Sequence, residues 1–287
     1  MKGAANMYII ETQNLTKSYS GFTAVSGINL HIPKGTVYGF LGPNGAGKST
    51  TMKMFLGLTK PTSGSFVIGG RKYPKNRVEI LKEVGSLIEA PAFYGNLTGE
   101  ENLDIVRKIL GLPKSSVSEA LEIVGLTQHR KQLAKKYSLG MKQRLGLASA
   151  LIGKPPILIL DEPTNGLDPV GIHEIRMLIR SLPQQFACTV FISSHLLSEI
   201  ELMADNIGIL NHGHLLFEGT LEDLRSSAAL QGYPAGTRGA GFPKAGSPKA
   251  GPMEAGLSEE NFKETYSLED TFLALIDADN RKEGGVR

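Results

Sequence analysis

The chain has 287 residues, and its 31 lysines and arginines nearly balance its 28 aspartates and glutamates, which leaves a formal net charge of +3. A chain of this length can bury a sizeable core and hold one large domain with an appendage, whereas its balanced charge gives no overall field that would favour nucleic acid as a partner. Its single cysteine, Cys188, excludes an internal disulfide framework and suits a reducing compartment.

Neither a membrane span nor a secretory signal is predicted. No stretch approaches the roughly 18 consecutive apolar residues of a span, and residues 1–6 lack the apolar centre of a signal peptide. Met7 is as good a candidate for the start as Met1. We expect a soluble, cytosolic chain unless a partner brings it to a membrane.

The N-terminal region, Met7 to Leu41, alternates apolar and polar residues in short pieces broken by glycine and proline. This pattern is typical of antiparallel strands joined by turns. Tyr19 lies here, and its ring could be a platform for an adenine base, since base–aromatic stacking is worth about 1–3 kcal/mol. From chemistry alone, an ordinary half-buried strand tyrosine is the better explanation.

The clearest motif is Gly42-Pro-Asn-Gly-Ala-Gly-Lys-Ser-Thr50, which has the G-x-x-x-x-G-K-S pattern of a phosphate-binding P-loop. The apolar run Thr36–Leu41 before it predicts a buried strand, and Thr51–Leu56 after it predicts a helix that ends at Gly57. Because a P-loop requires this order of strand, loop and helix, we predict nucleotide binding.

Each part of this loop has a role in binding phosphate. Its glycines let the backbone turn tightly and aim successive N–H groups at phosphate oxygens, and the helix presents its positive end to the same anion. Lys48 can reach the β- and γ-phosphates, and the Ser49 hydroxyl can bind Mg²⁺. The residues predicted to bind nucleotide are Gly42, Pro43, Asn44, Gly45, Ala46, Gly47, Lys48, Ser49 and Thr50.

A block of helices is predicted between the P-loop and the next core strand, which is unusual for a minimal nucleotide-binding domain. The predicted elements are a turn at Pro61–Gly64, strands at Ser65–Ile68 and Val84–Ile88, and helices at Asn102–Leu110 and Val117–Val124. We therefore expect a helical subdomain over about residues 90–155.

A second anion-seeking element is predicted at Tyr137-Ser-Leu-Gly-Met-Lys-Gln-Arg144. Ser138 is a good N-cap for the helix that follows, and Gly140 lets a ligand approach the backbone closely. The serine hydroxyl and two basic side chains at a helix start would attract an anion. Taken alone, a plain capped helix explains the stretch equally well.

Two carboxylates follow the apolar run Pro155–Leu160, which is typical of a central parallel strand. Ligands bind at the carboxyl ends of such strands, and unsatisfied carboxylates buried there would be costly. Asp161 suits a Mg²⁺ role, because magnesium prefers oxygen ligands and keeps several waters. Glu162 then suits a general base on the attacking water.

Another core strand is predicted at Thr189–Ser193, after a turn at Asn165–Pro169 that leads into a helix. Cys188 begins this apolar run, which favours a buried structural thiol over a nucleophile. His195 follows the strand as Asp161 follows its own. It is equally well explained as a packing or surface histidine and as a contact to phosphate.

These motifs, from the P-loop through Tyr137–Met141, Asp161-Glu162 and Gly166–Asp168 to His195, occur in the order found in one protein family. Over about residues 7–225 the chain resembles the nucleotide-binding subunit of an ABC transporter. The resemblance implies an α/β P-loop NTPase fold with a RecA-like core, an antiparallel β subdomain and a helical subdomain. It also implies ATP and Mg²⁺ as cofactors, with ATP hydrolysed to ADP and phosphate.

The resemblance assigns roles to matched positions. The implied catalytic residues are Lys48, Glu162 and His195, and His195 would contact the γ-phosphate. Ser49 and Asp161 would bind Mg²⁺. Tyr19 would stack on adenine, and Asp168 would be a further residue of the nucleotide site. Ser138 and Gly140 would contact the γ-phosphate bound by the other cassette of a head-to-tail dimer. The implied partners are therefore a second copy or a homologous cassette and an integral-membrane permease on a separate chain, with no nucleic acid, at the cytoplasmic face of the membrane.

Two departures from the family pattern point to a subfamily. Tyr-Ser-Leu-Gly-Met stands where the family usually has Leu-Ser-Gly-Gly-Gln, and Glu89 stands where it usually has glutamine. Both features resemble the bacterial exporters of bacitracin or lantibiotic peptides. At its position Glu89 could couple nucleotide state to the permease, and its carboxylate could supply a magnesium ligand.

Two other classes of function are compatible with a P-loop. Soluble ABC proteins of ribosomes or DNA repair usually carry two cassettes or a long coiled coil, whereas this chain has one P-loop and no heptad run before Asp161. A small-molecule kinase would leave the signature-like stretch, Asp168 and His195 unexplained.

The C-terminal region consists of two segments that differ in composition. Residues 226–256 are rich in glycine, proline and alanine and predict a flexible linker after a cassette of residues 7–225. Residues 257–287 predict an amphipathic helix with a capping-box-like start at Ser267–Asp270. Its apolar face, which we expect to pack on the cassette or on a partner, consists of Leu268, Phe272, Leu275 and Ile276.

The coupling role of Glu89 predicts that Glu89→Ala lowers transport, because alanine removes both the charge and the reach of the side chain. Glu89→Gln keeps the shape and removes only the charge, so the pair separates the two contributions. ATP hydrolysis and transport should be measured for both variants. An alanine variant that matches the wild type in both assays would contradict coupling through this residue.

Overall fold

The computed structural model of the protein describes residues 7–89, 91–230 and 267–284. The chain divides into two compact units between Glu218 and Gly219. Within the described ranges, no helix is both long enough and apolar enough to cross a membrane.

The first unit contains most of the strands and helices. The strands are β1 (Tyr8–Tyr19), β2 (Phe22–Ile28), β3 (His31–Pro33), β4 (Val37–Leu41), β5 (Ser63–Ile68), β6 (Arg71–Lys72), β7 (Val84–Leu87), β8 (Ile157–Asp161), β9 (Thr189–Ser194), β10 (Asn206–Asn211) and β11 (His214–Thr220). The α-helices of the described residues are α1 (Lys48–Phe55), α2 (Arg77–Lys82), α3 (Gly99–Leu110), α4 (Ser115–Ile123), α5 (Leu139–Leu151), α6 (Pro169–Phe186), α7 (Leu197–Glu201), α8 (Leu221–Leu230) and α9 (Leu268–Gly284).

One sheet is built around the buried strands that the sequence predicted. Its order is β11-β10-β4-β9-β8-β7, and the strands from β10 to β7 are paired in parallel. Every residue of β4, β8 and β9 is buried, as expected where both faces of a parallel sheet are covered. β8 begins at Ile157, two residues later than predicted, because Pro155 and Pro156 have no N–H group for the ladder.

The second sheet confirms the antiparallel prediction for β1, β2 and β3, whereas β4, which the predicted region Met7 to Leu41 also included, pairs in parallel in the first sheet. The order of the second sheet is β2-β1-β5-β6, and β3 also pairs with β1. β5 begins at Ser63, so the predicted turn at Pro61–Gly64 already belongs in part to the strand. Gly64 permits this early start: a Cβ atom there would lie 2.2 Å from the Asn14 carbonyl oxygen of β1.

Aromatic contacts join α1 to both sheets. Phe191 of β9 contacts Phe40 of β4 and Phe55 of α1, and Phe55 in turn contacts Phe66 of β5. All four side chains are buried. The helix that follows the P-loop is therefore fixed in the core of the first unit, and it holds the loop against the end of β4.

Helices α3, α4 and α5 pack together in the segment where a helical subdomain was predicted. α3 begins at Gly99, three residues before the predicted start, because Thr98 caps it. The Thr98 hydroxyl accepts a hydrogen bond from the Glu101 N–H, and the Glu101 carboxylate accepts one from the Thr98 N–H. This capping box satisfies backbone donors that would otherwise lack partners.

The second unit contains α8 and α9, which contact each other. The predicted start of α9 is confirmed, since the Ser267 hydroxyl accepts a hydrogen bond from the Asp270 N–H and donates one to the Asp270 carboxylate. Leu268 and Phe272 are buried. α8 extends to Leu230, so the first residues of the predicted linker are helical, and the rest of that linker lies outside the described residues.

Cys188 is a free, buried cysteine at the entrance to β9. Burial raises the pKa of its thiol to about 11. The thiol is therefore protonated at neutral pH, which confirms the structural role predicted from its apolar surroundings.

The contact between β7 and α5 has no side chain at its centre. A Cβ atom at Gly85 of β7 would lie 2.0 Å from the Ala150 carbonyl oxygen and 2.8 Å from the Pro155 ring. A Cβ atom at Gly146 of α5 would lie 2.7 Å from Pro91. Glycine at these positions lets α5 lie directly against the sheet.

We predict that Gly85→Ala destabilises the protein by about 1–3 kcal/mol, because the added methyl group forces α5 away from β7. Gly153→Ala is the matched control, since the nearest atoms to a Cβ there are 3.8 Å away. Thermal unfolding followed by circular dichroism should give a lower Tm for the Gly85 variant than for the control. Equal Tm values would contradict the close contact between β7 and α5.

Candidate functional site

The P-loop connects the end of β4 to the start of α1. A Cβ atom at Gly42 would lie 2.1 Å from the Leu210 carbonyl oxygen, and one at Gly47 would lie 2.4 Å from the Ala24 carbonyl oxygen. Only glycine allows the loop to pass this close to neighbouring backbone. Gly47 is the N-cap of α1 and gives the helix no side-chain acceptor, so the helix start can offer its N–H groups to an anion.

Lys48 is buried within the loop that precedes it. Its ammonium group donates hydrogen bonds to the carbonyl oxygens of Gly42, at 2.6 Å, and Pro43, at 3.2 Å. Burial lowers the pKa of Lys48, and the Glu162 carboxylate opposes this effect by favouring the charged form. The Lys48 nitrogen lies 3.5 Å from Glu162 Oε1, so the P-loop cation and the carboxylate after β8 share one site.

Glu162 and His195 are in direct contact. His195 Nδ1 lies 2.8 Å from Glu162 Oε2. The two residues follow β8 and β9, which are neighbours in the sheet. Glu162 has a φ angle of +48°, in the left-handed region that non-glycine residues rarely adopt. Such strain persists where the surrounding structure holds it, and it concentrates at functional sites.

A serine that the sequence analysis missed organises the two carboxylates. Ser193 is paired with Asp161 in the β8–β9 ladder, and its hydroxyl donates to Asp161 Oδ1 at 2.6 Å. The same hydroxyl oxygen accepts a hydrogen bond from the Glu162 N–H at 2.9 Å. Ser193 therefore fixes both the side chain of Asp161 and the backbone of Glu162.

The oxygen atoms that protein side chains offer near the P-loop fit a magnesium ion whose remaining ligands are water and phosphate oxygens. Ser49 offers a hydroxyl oxygen, and Asp161 offers the carboxylate oxygen that makes no hydrogen bond among the described residues. No group of three histidine, cysteine, aspartate or glutamate side chains in the described ranges could hold a metal. This donor set suits Mg²⁺, which keeps waters and takes ligands from phosphate groups.

Tyr19 lies at the end of β1, beside the turn to β2, and 49% of it is exposed. The Lys17 ammonium lies over its ring, 4.7 Å from the centroid, and also donates to the Lys60 carbonyl oxygen. A cation over one face is an attractive contact that helps to orient the ring. The adenine role of Tyr19 remains a prediction.

The signature-like residues line a different surface cleft, of about 440 Å³. Ser138 caps α5 as predicted, since its hydroxyl accepts a hydrogen bond from the Met141 N–H. Asp168 caps α6, since its carboxylate accepts one from the Gly171 N–H. Gly140 lines the same cleft, and a Cβ atom there would lie 3.8 Å from Leu167. Two helix N-termini, each with an oxygen-bearing cap, therefore open into one cleft.

Glu89 forms an ion pair that the sequence did not predict. Its carboxylate accepts a hydrogen bond from the Lys53 ammonium of α1 at 2.6 Å, and this contact lowers the pKa of Glu89. The Glu89 side chain is 68% exposed and its φ angle is +60°. The residue is thus both linked to the P-loop helix and accessible at the surface.

A family model described as ABC transporter matches residues 25–165. The bacitracin transport ATP-binding protein BcrA of Enterococcus faecalis is 53% identical over 218 residues, which cover 76% of this chain and 71% of that protein. The lantibiotic transport ATP-binding protein SrtF of Streptococcus pyogenes is 47% identical over 210 residues, which cover 73% and 90%.

A solved structure shares the fold as well. It is a dimeric ATP-binding cassette in a post-hydrolysis state, bound to ADP and Pi. It matches with a TM-score of 0.67 at 25% identity, covering 74% of this chain and 98% of that one.

We predict that Ser193→Ala lowers the rate of ATP hydrolysis about 10-fold, because Asp161 and the Glu162 backbone lose a shared hydrogen-bonding partner. Ser181→Ala removes a hydroxyl from α6 and is the control, since that hydroxyl donates only to the Leu178 carbonyl oxygen. Steady-state phosphate release at saturating ATP provides the measurement. Equal rates for the two variants would show that Ser193 does not organise the site.

Proposed function

The chain belongs to the ABC transporter family of ATP-binding proteins, and we propose that it powers the export of a bacitracin- or lantibiotic-type peptide through a separate membrane permease. The chain itself is an ATP-hydrolysing cassette. One observation carries the assignment of its residues: Lys48, Glu162 and His195 meet at the carboxyl ends of β4, β8 and β9.

Hydrolysis requires a water molecule to attack the γ-phosphorus while a base accepts its proton. We assign this base to the Glu162 carboxylate. Lys48 binds the β- and γ-phosphates together with the N–H groups of the P-loop. Because His195 Nδ1 contacts Glu162, its Nε2 is the nitrogen we assign to the γ-phosphate.

Magnesium, when bound, neutralises charge that develops on the phosphate oxygens. We propose that the Ser49 hydroxyl and the Asp161 carboxylate hold it, since both are oxygen donors next to the P-loop. Glu89 is a further candidate ligand, although Lys53 already takes one of its oxygens. Tyr19 completes the nucleotide site as the platform for adenine.

The second cleft is assigned to a second copy of the chain or to a homologous cassette. Ser138 and Gly140 would contact the γ-phosphate held by the partner's P-loop, and Asp168 would contribute to the same composite site. The matched solved structure is a dimer, which supports this arrangement. Each cassette would then supply one half of each of two nucleotide sites.

The names of the relatives support the proposed cargo. One relative is named for bacitracin transport and another for lantibiotic transport. We propose that this chain acts at the cytoplasmic face of the membrane, with a permease as its partner and without nucleic acid. The exposed carboxylate of Glu89 is suited to report nucleotide state to that permease.

We predict that a tagged Glu162→Gln chain, incubated with ATP, retains a polytopic membrane protein from native membranes. Removal of the base leaves nucleotide positioning intact and blocks activation of water, so the closed dimer accumulates. Mass spectrometry of the co-purified proteins identifies the permease. Ribosomal or DNA-repair proteins in its place would contradict the transporter assignment.

The double variant Glu162→Gln, Ser138→Arg is the matched control, because arginine fills the cleft assigned to the second cassette. A permease recovered equally well with both variants would argue against the composite site. Cells that carry the wild-type chain with the recovered permease should tolerate more bacitracin or lantibiotic than cells that carry Lys48→Ala. Equal tolerance would contradict the proposed cargo.

A further inference from the structure

A buried carboxylate lies behind the nucleotide site. Glu199, in the first turn of α7, is buried, and no cation contacts it among the described residues. Its Oε2 accepts hydrogen bonds from the Thr164 hydroxyl at 2.7 Å and from the Ser194 hydroxyl at 3.2 Å. A carboxylate removed from water is costly unless hydrogen bonds replace its hydration. Here the replacing donors come from two other segments of the chain.

The two donors belong to the loops that carry the catalytic pair. Thr164 lies two residues after Glu162, in a turn closed by a hydrogen bond from the Asn165 N–H to the Glu162 carbonyl oxygen at 3.1 Å. Ser194 immediately precedes His195, and its hydroxyl oxygen accepts a hydrogen bond from the Leu196 N–H at 3.0 Å. The groups linked to Glu199 therefore lie on both sides of His195.

The backbone of Glu162 needs such support. Its left-handed φ angle is unfavourable for a residue with a side chain. Ser193 accepts the Glu162 N–H on one side of the residue, and Thr164, also buried, attaches the chain on the other side to Glu199. The two attachments together hold the loop in its strained conformation.

We propose that Glu199 is a positioning residue for ATP hydrolysis, and that its buried carboxylate ties the Glu162 loop to the His195 loop. This inference rests on the ATP hydrolysis within the proposed function and adds a residue that touches neither nucleotide nor metal. We call Glu199, Thr164 and Ser194 the clamp, and we infer that the clamp maintains the 2.8 Å contact between Glu162 and His195.

The clamp makes a specific kinetic prediction. Nucleotide binding depends on the P-loop, and among the described residues no side-chain hydrogen bond joins Glu199, Thr164 or Ser194 to that loop. Loss of the clamp misplaces the base and the histidine, and a displacement of about 1 Å can lower turnover about 10²-fold. The value of kcat should therefore fall while KM for ATP stays within about 3-fold of wild type.

The test uses the full chain with paired substitutions. Thr164→Val has nearly the same shape and removes the donor, whereas Thr164→Ser keeps it. We expect Thr164→Val and Glu199→Ala to lower kcat about 10- to 100-fold, and Thr164→Ser to stay close to wild type. Glu122→Ala, at an exposed position of α4, is the control for removal of a glutamate side chain.

Two outcomes overturn the inference, and they are distinguishable. If the wild-type chain hydrolyses ATP and Thr164→Val has the same kcat, the clamp is wrong and the proposed function stands. If the wild-type chain does not hydrolyse ATP, the proposed function fails and the inference with it. Should Thr164→Val not fold by circular dichroism, Ser194→Ala replaces it: an unchanged kcat then overturns the clamp, and a selective fall supports it.

Discussion

The functional site depends on the parallel pairing of β4, β9 and β8. In this register Leu41 lies beside Ser194, and Asp161 lies beside Ser193. Neighbouring strands are about 4.8 Å apart, so side chains that follow their last residues are within hydrogen-bonding reach of one another. The P-loop lysine, the carboxylate after β8 and the histidine after β9 meet because three strands end at one edge of the sheet.

Small hydroxyl groups make that edge compatible with a buried sheet. The strands are largely apolar through their centres, and the polar side chains at the functional edge lie where they end, with Ser193 and Ser194 on β9 and Asp161 on β8. The Ser193 hydroxyl links β9 to Asp161 and to the Glu162 N–H, and the Ser194 hydroxyl links the end of β9 to Glu199 and to the Leu196 N–H. Both hydroxyls are small and uncharged. Among the described residues, no buried side-chain nitrogen or oxygen lacks a hydrogen-bonding partner. Neutral serine hydroxyl groups thus link the charged side chains of the site to the apolar core.

The sequence predicts those parts of the protein that local patterns encode. The P-loop, the apolar strands β4, β8 and β9, and the cap at Ser138 follow from motif, composition and spacing, and the structure contains them. Ser193, Glu199 and the Lys53–Glu89 pair were missed because each depends on which strands and loops are neighbours. The start of α3 is different, since Thr98 and Glu101 form a local capping signal that the apolar pattern alone did not include.

The burial of Cys188 has a practical consequence for spectroscopy. With a thiol pKa of about 11, only about one molecule in ten thousand carries a thiolate at pH 7, and the thiolate is the form that reacts with maleimides. We therefore expect the native thiol to react slowly with such reagents. A cysteine introduced at an exposed position such as Tyr94 or Ile109 can therefore carry a fluorophore or spin label without replacement of the native thiol.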